Sequence, residues 1–184
     1  MGSSYLVSSF SRRIDPLTQF LVVIDAAHHE IHSGDSFVVT DTDASVDNAT
    51  PKYWRITTPN SVKWAHFIVS IWANDAGLAE FFESPTEDDP VVAGTAITAY
   101  NRNRNSAITA TTAIKYDPVF TADGTRLDHA LIGSSSINPI LSSGGSGSTR
   151  YEFILGQNKT YTVKFTPDGD GVAVWIIFDW YESE

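Results

Sequence analysis

Residues 161–181 read Tyr161-Thr162-Val163-Lys164-Phe165-Thr166-Pro167-Asp168-Gly169-Asp170-Gly171-Val172-Ala173-Val174-Trp175-Ile176-Ile177-Phe178-Asp179-Trp180-Tyr181. The first six alternate. Tyr161, Val163 and Phe165 fall on one side of an extended chain, with Thr162, Lys164 and Thr166 on the other, the period of a strand that lays one face on a core. Residues 166–171 are dense in turn formers: Pro pre-sets φ, Asp closes local hydrogen bonds and Gly accepts positive φ. From Val172 onward the apolar character is nearly continuous and dominated by β-branched and aromatic residues, which favours a strand buried on both faces over a helix. The three pieces together predict a hairpin from Tyr161–Thr166 into the final strand.

Outward from this segment, Trp64 to Trp72 alternates in the same way. Ala65, Phe67, Val69 and Ile71 stand against Trp64, His66, Ile68, Ser70 and Trp72, so one face is wholly apolar. Shorter runs of strand character recur at Phe20–Ile24, Phe37–Thr40, Tyr53–Thr57, Leu78–Glu83, Thr95–Tyr100, Ala107–Lys115, Ala130–Ile132 and Tyr151–Leu155, parted by Gly, Pro, Asn and Asp. This spacing, with few helical periods, predicts an all-β fold: a β-sandwich of jelly-roll type, or a β-barrel. Five Trp could stack on carbohydrate, but Trp64, Trp72 and Trp175 lie inside these runs, where core packing explains them as well.

Tyr5 to Leu17 is Ser-rich, carries Arg12 and Arg13 before Pro16, and lacks an alternation that would bury a face. It reads as an extended N-terminal arm, dividing the chain into an arm at 1–17 and a β-rich domain at 18–184. The Gly- and Ser-rich stretch 140–149 is flexible by composition, and the roughly 35 residues after it are too few to bury a core alone. The acidic stretch 83–90 reads as a solvated loop.

At 184 residues, 42 % of them hydrophobic, the chain can bury a core without covalent staples. It has no Cys, which excludes disulfides, thiolate metal sites and a cysteine nucleophile, and suits synthesis in a reducing cytosol. A net charge of −10 repels phosphate backbones and anionic lipid, so neither nucleic acid nor membrane is an expected partner. No apolar run approaches the ~18 residues of a membrane span, and the first 30 residues lack the order of a signal peptide. The chain reads as soluble and unprocessed.

The densest group of metal-capable side chains is His28-His29-Glu30-Ile31-His32. It departs from the zinc-protease helix motif, in which Glu directly follows the first His. On a strand, His28, Glu30 and His32 would share a face, as in the facial triad of jelly-roll iron oxygenases, with His66 or His129 available to complete it. Ser33-Gly34-Asp35 follows as a turn, and histidines beside a turn are more often surface residues, so no metal or cofactor is expected. There is no G-x-S-x-G nucleophile elbow, and no carboxylate pair stands out from the acidic background. Asn101-Arg102-Asn103-Arg104-Asn105-Ser106 alternates amides with guanidiniums. Such planar donors suit sugar or phosphate, but the simpler reading is an edge or loop that pairs with acidic residues of this chain or a neighbour. Asn48-Ala49-Thr50 and Asn158-Lys159-Thr160 are formal glycosylation sequons, meaningful only in a secreted eukaryotic protein.

Three segments taken in order carry a family resemblance: His28 to Gly34; Ile56-Thr57-Thr58-Pro59-Asn60 with Lys63-Trp64-Ala65-His66; and Asn101 to Ser106. Together with the closing aromatic run Trp175 to Tyr181, the chain resembles a family of tailed-bacteriophage virion proteins similar to capsid decoration (cement) proteins. The likeness runs from about His28 to Tyr181. It implies a compact β-rich body on the outer surface of the head, assembled in the host cytoplasm. Its partners would be the major capsid protein and copies of itself, often as a homotrimer. It implies no catalytic residues and no cofactor. An arm bearing Phe10, Arg12 and Arg13 is expected to reach a neighbour, and Arg102 and Arg104 are further candidate interface residues. The alternatives are a tail or fibre component that contacts a host glycan, and a jelly-roll metalloenzyme built on His28, Glu30 and His32.

Overall fold

The computed structural model describes residues 26–84, 86–87, 94–133 and 152–183. Alternation sets its strands. Val172, Val174, Ile176, Phe178 and Trp180 of the last strand, Val172–Ser183, are all buried, as are Tyr161, Val163 and Phe165 of the strand Thr160–Pro167. Each such row removes a strip of apolar surface from water and needs an opposing layer.

The strands are β1 (Ser36–Val46), β2 (Lys52–Thr57), β3 (Trp64–Ala73), β4 (Gly77–Glu83), β5 (Thr86–Glu87), β6 (Thr95–Ile97), β7 (Tyr100–Asn101), β8 (Ala113–Tyr116), β9 (Phe120–Ala122), β10 (Thr125–Ile132), β11 (Phe153–Leu155), β12 (Thr160–Pro167) and β13 (Val172–Ser183). One sheet runs β11-β3-β13-β1-β7 and the other β10-β4-β12-β2-β8-β6; β5 and β9 form a small separate ribbon. Every pairing is antiparallel.

Setting aside β5 to β9, eight strands remain, and they pair from the outside of the chain inward. β1 pairs with β13, β2 with β12, β3 with β11, and β4 with β10. That nesting, with successive pairs dealt to alternate sheets, is the jelly-roll double Greek key. The all-β expectation holds, and the sandwich replaces the barrel alternative because both sheets remain open at their edges.

The expected hairpin between Tyr161–Thr166 and the final strand is not formed. Both strands exist, but β12 pairs with β2 and β4, and β13 with β1 and β3. Each carries a full apolar row, and placing the rows in facing sheets buries both against one core. The turn therefore arches between the layers. It is held by Asp168 N–H donating to the Ala76 carbonyl at 2.9 Å and Asn48 N–H donating to Asp170 Oδ1 at 2.8 Å. Likewise β13 is not buried on both faces: residues alternating with its core row, from Ala173 through Trp175 to Tyr181, are half-buried or exposed. Ala107–Lys115 is strand only from Ala113. Phe20–Ile24 and the arm at 1–17 lie outside the described residues.

The core between the sheets is aromatic. Phe67 stacks on Trp180 with ring centres 5.3 Å apart and touches Phe178 at 5.8 Å. Trp54, wholly buried, donates its indole N–H to Asp41 Oδ2 at 2.7 Å. Inward-pointing carboxylates are thus satisfied rather than stranded, as burial of a charge demands. Gly77 lies so close to the Phe165 ring that a Cβ there would sit 2.6 Å from it.

The insertion between β4 and β10 widens both sheets at the same edge, since β7 adds to β1, and β8 with β6 adds to β2. What joins it to the body is a buried carboxylate. Glu182, 3 % exposed, accepts the backbone N–H groups of Thr112 at 2.8 Å and Thr111 at 3.0 Å and the Trp180 indole N–H at 3.1 Å.

Ahead of β1, Ala26–Ser33 is a helix, α1, not a strand. Ala and Glu favour it, and Gly34 at φ 86° ends it. Gly34 N–H bonds the Ile31 carbonyl at 3.2 Å and Asp35 N–H the Glu30 carbonyl at 3.0 Å, a Schellman cap.

Candidate functional site

The outward face of the five-stranded sheet is the most distinctive surface. Because Ala65, Phe67, Ile71 and Ala73 of β3 point into the core, Trp64, His66, Ile68, Ser70 and Trp72 must point away. Register brings their counterparts alongside: Trp175 beside Trp72, Ile177 beside Ser70, Asp179 beside Ile68 and Tyr181 beside His66. β1 adds Val38 opposite Asp179, Thr40 opposite Ile177 and Thr42 opposite Trp175, and β11 adds Ile154 opposite His66. Trp175 is 41 % exposed, Trp64 46 % and Ile154 59 %; Val38, Ile68, Trp72 and Ile177 are half-buried. The row from Trp64 to Trp72 is about 26 Å long.

A polar group is built into this face around His66. The His66 and Tyr181 rings stack 4.4 Å apart, within 11° of parallel. Tyr181 donates its hydroxyl to Glu152 Oε1 at 2.9 Å, and His66 Nδ1 lies 2.7 Å from the same oxygen. His66 Nδ1 is therefore committed to a carboxylate and its ring to an aromatic partner.

The opposite outward face is finished with charge. Lys164 reaches Asp123 at 2.6 Å, Tyr53 donates to the same Asp at 3.3 Å, and Arg126 pairs with Glu80 at 3.0 Å. Burial opposes the Lys164 ammonium, but the hydrogen bond to Asp123 together with the charges of Tyr53, Asp123 and Glu80 outweighs it and holds its pKa above the ordinary lysine value. Burial pushes the Tyr53 phenol up and the Arg55 guanidinium down. An exposed apolar residue persists there in Leu131.

The histidine cluster is arranged by α1, and this corrects the shared-face expectation. On a helix, His28 and His32 are neighbours, whereas Glu30 is turned well round the axis. His28 Nε2 and His32 Nε2 lie 3.0 Å apart. Glu30 instead meets His29 Nδ1 at 3.5 Å and accepts from Ser33 Oγ at 3.3 Å. His129 is exposed on β10, the far edge strand of the other sheet. Among the described residues no three His, Asp or Glu side chains form a group that could hold a metal, so the facial triad built on His28, Glu30 and His32 is not assembled.

The Asn-Arg repeat follows the simpler reading. Asn101, buried, donates to the carbonyls of Gly34 at 2.6 Å and Ile108 at 2.9 Å, which ties α1 to the insertion. Asn103 donates to the His32 carbonyl at 3.1 Å. Arg102 makes a two-oxygen contact with Asp179 at 2.9 and 3.0 Å, and Arg104 lies over the Tyr100 ring at 5.6 Å. Both arginines stay at the surface, and Arg102 is next to the apolar face through Asp179. Phe10, Arg12 and Arg13 lie outside the described residues.

Cavities are small. One of about 50 Å³, lined by Val69, Ile71, Phe81, Phe153 and Val163 with Asp128 and His129, opens between the sheets beside β10 and β11. Another of about 230 Å³ lies against the insertion between Ile97 and Thr112. Both fall below the ~300–1,000 Å³ of small-molecule sites. No helix among the described residues is long and apolar enough to cross a membrane. No protein-family model, curated protein or solved structure matches the chain.

The core aromatics were legible in the sequence, but Trp64, Trp72 and Trp175 belong to the surface, not the core. Their signal was the alternation itself, which sets them opposite an apolar row. Glu182 had no sequence signal, because one acid near a terminus resembles any other.

Proposed function

We propose that this chain is a non-catalytic assembly protein: a virion component that decorates the outer surface of a bacteriophage head and stabilises the major capsid protein lattice. The observation that carries the reading is the contrast between the two outward faces. One is finished by Lys164–Asp123 and Arg126–Glu80, with Leu131 exposed; the other carries Val38, Ile68, Trp72, Trp175, Ile177 and Ile154 around the Arg102–Asp179 pair, over the three central strands and an edge. An apolar face on an otherwise highly acidic protein marks a contact surface. At about 26 Å by four strands about 4.8 Å apart, its footprint of about 500 Å² is smaller than the ~800 Å² per partner of a standard stable interface. Each contact is then weak alone, and a repeating lattice converts weak contacts into occupancy through avidity. The family resemblance supplies the head surface, the capsid partner and the homotrimer.

The test is co-sedimentation with particles that lack the protein. Restored binding with raised resistance to heat or low salt supports the reading, and failure to bind at saturating concentration refutes it. A second reading, a tail or fibre protein that contacts host glycan, is favoured by Trp72 and Trp175 lying side by side on the face that also carries Thr40, Thr42 and Ser70, since sugar rings stack on aromatic faces and their hydroxyls bond polar neighbours. Binding to purified host polysaccharide, abolished by Trp175→Ala, would select it over the capsid lattice.

A further inference from the structure

We infer that His28 and His32 form a two-histidine chelate for a divalent transition metal, independent of the capsid reading. Two nitrogens each bound at 2.0–2.1 Å and subtending 90–109° at a metal lie roughly 2.8–3.4 Å apart. The two Nε2 atoms stand 3.0 Å apart, within that bite. Their ring centres are farther apart, at 4.7 Å, so the rings converge through their nitrogen tips.

The framework that sets this spacing is fixed from outside the pair. The last turn of α1 is closed by the Gly34 cap, its His32 carbonyl is held by Asn103 at 3.1 Å, and Asn101 holds the Gly34 carbonyl at 2.6 Å. Both rings are exposed, so entry is open and water fills the remaining positions. Imidazole donors select Zn²⁺, Cu²⁺ or Ni²⁺ over the oxygen-seeking Mg²⁺ and Ca²⁺. Glu30, engaged with His29 and Ser33, is not a ligand. A site of two ligands with no base beside it is structural: a helix of eight residues is marginal alone, and a metal bridging i and i+4 binds only its helical form.

The experiment is calorimetric titration of the full chain at neutral pH with ZnCl₂, NiCl₂ and CuCl₂, with MgCl₂ as control, on the wild type and on His28→Ala, His32→Ala and His29→Ala. All three positions are on the surface, and circular dichroism checks that each variant folds. One saturable site for the transition metals and none for Mg²⁺ is expected. Loss of either chelating ring is expected to weaken binding by at least about tenfold, because the second ligand binds intramolecularly, while His29→Ala changes it by less than about twofold. Absence of saturable binding, or equal weakening in all three variants, would overturn the site.

Discussion

Glu182 and Thr112 are both buried, and the carboxylate of one accepts the backbone N–H of the other at 2.8 Å. The last strand thereby grips a loop that began some 70 residues earlier in the chain. Three further donors share that carboxylate: Thr111 N–H and Oγ, and the Trp180 indole. Glu182→Ala leaves the buried Thr112 N–H and Trp180 indole without an acceptor, as well as the Thr111 donors nearer the surface, and is expected to cost about 3 kcal/mol. For a chain of this size that lowers Tm by roughly 6–12 °C. Hydrogen exchange should quicken in β6 to β8 before the rest of the sandwich. A melting curve within 2 °C of wild type, as a rough bound, would contradict the anchoring role.

Tyr116 links a half-buried ion pair. It donates to Asp43 Oδ2 at 2.7 Å and accepts from Lys52 Nζ at 3.0 Å, with Lys52 3.1 Å from the same Asp43 oxygen. Burial alone would raise the Asp43 carboxyl, but hydrogen bonds from Tyr116, Ser45 N–H and Lys52 outweigh it and hold it below its ordinary value. An acid depressed by folding contributes stability above its unfolded pKa and loses it as pH falls through the folded one. The Lys52 ammonium is held above its ordinary value, first by Tyr116 and then, against burial, by Asp43. Its contribution is complete below the unfolded lysine value and is lost as pH climbs through the folded one. The urea midpoint should therefore decline below about pH 4 and above about pH 10.5. Tyr116→Phe is expected to cost about 1–2 kcal/mol at neutral pH and to move the acid limb to higher pH. An acid limb that does not move would contradict the linkage.

Trp175 and Ile154 separate folding from contact. Both are substantially exposed, so Trp175→Ser and Ile154→Ser should each change unfolding free energy by no more than about 1 kcal/mol. Occupancy on particles is expected to fall severalfold for each. Full occupancy by the double variant would place the contact elsewhere on the molecule.

Gly77 tests the packing between layers. A Cβ there would lie 2.6 Å from the Phe165 ring and 2.8 Å from the Thr166 carbonyl oxygen. Gly77→Ala should cost about 2–3 kcal/mol through overpacking. Gly169→Ala, whose Cβ would meet its nearest neighbour at 3.6 Å, should stay within about 1 kcal/mol. Equal denaturation midpoints for the two variants would contradict the close approach.

That this chain is all-β, and roughly where its strands run, is legible in the residues alone. Alternation over Trp64–Trp72 and Tyr161–Thr166 is a local property, written residue by residue in the chain and readable without a partner. Composition likewise excluded thiol chemistry and set the acidity. What alternation cannot state is which strand lies beside which, because an apolar row is satisfied equally by a hairpin partner's sheet or by a facing one. Long-range packing is what parts β12 and β13 to opposite layers, brings Trp72 and Trp175 together on an outward face, and lets Glu182 close the insertion. It also decided that the histidines ride a helix, with His28 and His32 brought together and Glu30 turned aside. Each of these is settled by contacts between distant residues, or by the cap at Gly34 held from Asn101, and the energy of such contacts exists only once the chain has folded around them.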